Sequence, residues 1–240
     1  MQLLPSLSFD TVSALIVLLG AVFVHACFQL SVSVLTLLSS HTIGRKLPNS
    51  RLLSLNFWYI LGVTVSIALL SLGSTSLLRY IEANNAMVAT VLTFTLLPLI
   101  ALLIVLFYYR RGRGTQLWLP RPAAEYITTR AKKTKSSVEA FSLGTTTVFT
   151  ELPFALAPLA ISGLVFQNMA SHSWLRLSAF YAVVVALPLI FVALYLSSGH
   201  KISVVQKWRE EAKSFLKWTS AITLVVLMFY LMSLQLGVSS

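Results

Sequence analysis

Apolar residues in this chain fall into six long runs separated by polar segments, at about 12–39, 52–78, 84–109, 137–166, 174–197 and 215–237. Each reaches the roughly 20 residues that a helix needs to cross the hydrocarbon of a bilayer. The pattern predicts an all-α integral membrane protein with six transmembrane helices. Several runs exceed the minimum, which predicts tilt, kinks or breaks.

The polar segments differ in charge. The first, after span one, holds Arg45, Lys46 and Arg51, and the third, 110–136, holds eight basic residues from Arg110 to Lys135. The fifth holds Lys201, Lys207, Arg209, Lys213 and Lys217. Together these take 16 of the 18 Lys and Arg residues, leaving Arg79 and Arg176 for the other side. Basic loops stay in the cytoplasm, so the pattern predicts a multi-pass cell-membrane protein with both termini extracytoplasmic.

Loop three is the long connection, made irregular by Gly112, Gly114, Pro120 and Pro122. It divides the chain into a first three-helix unit (1–110), a basic cytoplasmic linker (111–136) and a second unit (137–240). Loop five places Val204, Trp208, Ala212, Phe215 and Leu216 at helical spacing, which predicts an interfacial helix ahead of span six.

Three spans per half make the second half enter from the opposite side, an inverted-topology repeat. CFQLSVSVL (27–35) aligns with PFALAPLAI (153–161), and SLNFWYILG (54–62) resembles RLSAFYAVVV (176–185).

Composition narrows the function. Of 240 residues, 57% are hydrophobic and 10% charged, against about 25% charged in an ordinary soluble domain. The net charge of +11 sits in loops, beside no nucleic-acid motif, so lipid headgroups are the expected partner and nucleic acid is not. The first run lacks a positive segment before it and is too long for a signal-peptide core, so a retained span is expected. One cysteine, Cys27, allows no internal disulfide and no Cys/His metal cluster.

The unusual chemistry lies in span four. Glu151 stands at its midpoint, followed by Pro153 and Pro158 and preceded by Thr145, Thr146, Thr147 and Thr150. A carboxylate at the centre of a membrane helix costs about 2.5–3.5 kcal/mol and belongs against other helices or water. Each proline lacks an N–H and frees a carbonyl one turn back, which predicts a break in this helix. Span one carries His25 at the same depth, with Gln29 a turn later, and the repeat alignment sets His25 opposite Glu151. The pair is expected to hold protons. Thr147, Thr150 and Asn56 are further candidate ligands, with Asn56 equally suited to a helix–helix hydrogen bond. Motifs for hydrolases, zinc proteases and nucleotide binding are absent, and neither enzymatic activity nor a metal or cofactor is expected.

Six spans in two inverted halves, with broken first and fourth helices, resemble the LysE superfamily of small-solute exporters, which includes the CcdA/DsbD-type thiol carriers. HACFQL in span one is similar to the placement of the first redox cysteine in those carriers. They carry a second cysteine in span four, where this chain has Pro153, so the resemblance implies the scaffold without the disulfide chemistry. It implies a secondary transporter, an exporter of a small solute or ion, here coupled to protons through Glu151. A non-transporting scaffold or assembly partner is the alternative, and a homo-oligomer is left open.

Overall fold

The computed structural model describes residues 10–28, 30–44, 48–108 and 121–237. It is all-helical, 92% helix, with no strand among the described residues. The helices are α1 (Thr11–Ala26), α2 (Leu30–Gly44), α3 (Asn49–Asn84), α4 (Ala86–Leu103), α5 (Arg121–Lys133), α6 (Ser137–Gln167), α7 (Trp174–Ser197) and α8 (Ile202–Gly237). A π-helical turn, Ile104–Tyr108, extends α4, and a 3₁₀ turn, Ser171–Ser173, leads into α7.

Four of these helices, α3, α6, α7 and α8, are long and apolar enough to cross a membrane, or five spans if the bent pair α1–α2 counts as one. The third apolar run forms α4 and its π turn, within which Phe94–Tyr108 is an apolar helix shorter than a full span. Among the described residues the chain therefore has the apolar helices of a membrane-embedded protein, at a coarser count than six.

Helix α6 is the spine. It lies parallel to α3, with matching contacts along both: Gly144 against Tyr59, Ser162 bonded to Ser71 at 3.1 Å, and Gln167 bonded to Glu82 at 2.7 Å. The two backbones touch because glycine permits it. A Cβ on Gly62 would stand 2.2 Å from the Phe141 carbonyl oxygen, and one on Gly144 would stand 2.3 Å from that of Tyr59. Small residues serve helix contacts in lipid in this way, since apolar side chains gain nothing by leaving one apolar solvent for another. Ser74 adds a bond to the Leu159 carbonyl at 2.8 Å. Helix α7 packs on the other side of α3, while α1 lies against α6, α7 and α8.

Local signals start and stop the helices. Ser136 and Glu139 form a capping box at the start of α6, each side chain satisfying a backbone amide of the other's turn. Asn85 separates α3 from α4 and caps the latter through Val88 N. Gly199, at φ +84°, turns the chain out of α7 in a conformation that side chains with a Cβ rarely adopt.

Three expectations are corrected. First, α6 does not break at Pro153 or Pro158 but runs helical from Ser137 to Gln167. Each proline removes one backbone hydrogen bond, whereas the α3 contacts bracket both prolines and hold the helix on course. The break lies in the first half: α1 and α2 meet at 42°. Second, the linker is not irregular throughout. Residues 121–133 form α5, whose first turn accommodates Pro122, while residues 109–120, with Gly112 and Gly114, lie outside the described set.

Third, loop five and span six are one 36-residue helix, α8. The stripe formed by Val204, Trp208 and Phe215 faces away from the bundle, and Val205 and Arg209 face into it. The apolar stripe is thus left to an apolar surrounding, and the inward Arg209 donates to the Ser33 hydroxyl.

Candidate functional site

The site forms where α1 stops. Cys27 N bonds to the carbonyls of Phe23 and Val24, and Phe28 N bonds to His25 O at 3.2 Å, a tightened last turn that ends the helix. Helix α2 then begins at Leu30 with amides that have no carbonyl behind them. Glu151 of α6 meets this need: its Oε1 accepts from Leu30 N at 3.2 Å. A carboxylate there also sits at the positive end of the α2 dipole.

The same Oε1 accepts from the Tyr108 hydroxyl, delivered by the π turn at the end of α4. Single π turns often occur at functional positions because they shift a side chain off the regular helical register. The Tyr108 ring packs on Phe28 at 5.1 Å and on Phe154 at 4.7 Å between centroids. An aromatic collar thus surrounds the carboxylate, which is 7% exposed.

His25 does not bond Glu151. Its Nδ1 pairs with the Tyr181 hydroxyl of α7 at 2.9 Å, and its ring meets the Phe28 ring at 6.0 Å. The two residues nevertheless line one cavity of about 30 Å³, with Ser31, Val63, Val148 and Pro188 among its walls. That is room for about one or two water molecules, enough to relay a proton between groups that do not touch.

Placed against the sequence-based expectations, the structure brings Glu151 and His25 to one cavity and leaves other candidates outside it. Asn56 accepts from Ser39 Oγ at 3.0 Å and ties α2 to α3, away from the cavity lining. Thr147 donates to Leu143 O, and Thr150 donates to the carbonyls of Thr146 and Thr147. Such back-bonding within a helix is the ordinary fate of a buried threonine. Gln29 lies outside the described residues. Pro153 and Pro158 stay within an unbroken helix and open no site.

Cys27 is buried at the break, against Thr219 of α8. Among the described residues no group of three His, Cys, Asp or Glu side chains could hold a metal ion.

Three tyrosines complete the polar interior and were not singled out by sequence. Tyr108 and Tyr181 bind the two titratable groups, and Tyr59 of α3 donates to Ser31 O at 2.9 Å, fixing the first turn of α2. All three are almost fully buried.

Comparison of the chain with protein-family models, curated proteins and solved structures finds no match. The functional reading therefore stands on the geometry of this site.

Proposed function

We propose that this protein is a secondary transporter of a small solute or ion, coupled to protons through Glu151. The observation that carries the reading is the convergence of two buried side chains, Glu151 and His25, on one cavity at a broken helix, with a half-helix N-terminus aimed at the carboxylate. Discontinuous helices whose ends point at charged groups near the midplane are how transporters bind ions and solutes. A buried acid that accepts from a tyrosine hydroxyl and shares a cavity with a histidine has the parts a proton relay requires.

In this reading six spans form two inverted three-helix halves, with α1–α2 as one broken span and α4 with its π turn as the third. The basic segments are then cytoplasmic and both termini extracytoplasmic, the arrangement the positive-inside rule favours. The 30 Å³ cavity then represents an occluded state, which widens when the halves rock about α3 and α6. The LysE-superfamily resemblance belongs to the same proposal and favours export.

One observation favours a second reading, a non-transporting scaffold. The Glu151 carboxylate already has two donors, Leu30 N and Tyr108, and caps α2 as a structural group would. Purified protein in proteoliposomes loaded with a pH-sensitive dye separates the two. Addition of candidate solutes (amino acids, small organic cations, sodium and potassium salts) moves protons if the protein is a coupled transporter. No proton movement with any of them, in protein shown to be folded, supports the scaffold.

A further inference from the structure

Away from the central cavity, a second recess lies where α5 meets α6. It measures about 200 Å³ and is lined by Tyr126, Arg130, Lys133, Glu139, Ser142 and Thr146, with Val138 and Leu143 as apolar walls. It opens at the end of the bundle where α3 and α6 both begin. There Arg51, at the start of α3, donates to the Lys135 carbonyl next to α6.

Helix α5 is amphipathic in a way that suits this position. Ile127, Ala131 and Thr134 are buried at helical spacing, while Arg130, Lys132 and Lys133 are exposed. The face holding the cations therefore runs along the rim of the bundle.

Arg130 and Glu139 feel each other's charge, but no ion pair joins the charged side chains of the recess among the described residues. Lys133 has no ion pair or hydrogen bond among the described residues. Arg130 lies over the Tyr126 ring at 5.5 Å, with Nε 3.3 Å from its hydroxyl. The single acid, Glu139, is turned to the start of α6, where Oε2 accepts from Lys135 N at 2.7 Å and Ser136 N at 3.2 Å. Its charge is held by those amides, so two cations face the recess against one committed carboxylate.

The walls are mixed in character. Val138 is 77% exposed beside the cations and Leu143 is buried, while Ser142 and Thr146 follow Val138 at one-turn intervals along α6. Cations, hydroxyls and apolar side chains in one recess match a phosphate diester with its glycerol esters and the start of an acyl chain.

We propose that this recess binds the phosphate group of an anionic phospholipid, held by Arg130 and Lys133 and steadied by Ser142. The occupant is identified by the apolar walls beside the cations and by α6 itself, which is long and apolar enough to cross a membrane, since a free phosphate would use the cations alone. Arginine supplies a planar pair of donors to phosphate oxygens and lysine a mobile third.

The test uses the full chain purified in a mild detergent, with thermal unfolding and native mass spectrometry as readouts. Phosphatidylglycerol, phosphatidylcholine and inorganic phosphate are the three probes. Phosphatidylglycerol is expected to raise the unfolding temperature of the wild type and to remain bound as one retained lipid, with phosphatidylcholine much weaker. R130A/K133A is expected to bind it about 30-fold more weakly, roughly fivefold for each cation lost near an anionic surface. K201A/K207A, which removes one exposed cation just before α8 and one within it, is expected to bind as the wild type does.

Both cations of the recess are exposed, so neither variant removes a packing contact of the core. Stabilisation by inorganic phosphate at the same concentrations, lost in R130A/K133A, would show that the site takes a free anion and would overturn the lipid assignment. Equal lipid retention by wild type and R130A/K133A, or equal losses in the two double variants, would overturn the site itself.

Discussion

The Glu151 carboxylate accepts the backbone amide of Leu30 at 3.2 Å across a separation of 121 residues. One bond thereby joins the rarest side chain of the apolar core to the start of the half-helix that follows the break. It gives Glu151 two separable roles, as a cap on α2 and as a group that can carry a proton.

The capping role predicts a difference between two substitutions. E151Q keeps an oxygen where Leu30 N and the Tyr108 hydroxyl donate, and should lose less than about 1 kcal/mol of stability. E151A leaves both donors buried without an acceptor and should cost about 1–3 kcal/mol. Denaturant unfolding in detergent compares the two, and equal stability would contradict the cap.

The α3–α6 contact predicts intolerance of a single methyl group. G62A and G144A each place a Cβ within 2.3 Å of a facing carbonyl oxygen, a clash of backbone that no side-chain rotation relieves. Each should cost about 1–3 kcal/mol or more. Gly73 has nothing within 4 Å of a Cβ built on it, so G73A is the control that should remain stable. Loss of folded yield in G73A alone would reverse the expected order.

How much of this was legible beforehand depends on how rare each residue is in its surroundings. Glu151 and His25 stand out because almost everything near them is apolar, and burial of such groups demands partners. The long apolar runs were equally plain. Prolines misled, because a proline signals one lost hydrogen bond and says nothing of the packing that keeps α6 one continuous helix. The break at Cys27–Phe28 carries no proline or glycine and had no local signal. Tyr108, Tyr59 and Tyr181 were hidden among many aromatic residues that belong at membrane interfaces or in ordinary packing. Only the π turn, a feature of three-dimensional structure, brings Tyr108 to Glu151. Arg209 misled for a similar reason: a charged residue beside a regular apolar stripe reads as solvated, yet the stripe faces outward and the arginine inward.

Orientation is tested by single cysteines in a C27S background. Cys27 is buried against Thr219, and serine is close to it in volume, so C27S should fold and retain activity. Cysteines replacing Lys133 or Lys207 should resist an impermeant thiol reagent applied to intact cells, and one replacing Asn84 should react. Labelling in the reverse pattern would invert the membrane orientation.

Coupling through Glu151 is tested most directly by following solute-driven proton movement in proteoliposomes of wild type and E151Q over a range of pH. The substitution keeps the size and the hydrogen-bond acceptor of the side chain and removes its titration. The account predicts that E151Q folds and inserts, while its transport loses pH dependence and no longer concentrates solute against a gradient. Full pH-dependent, concentrative transport by E151Q would contradict it.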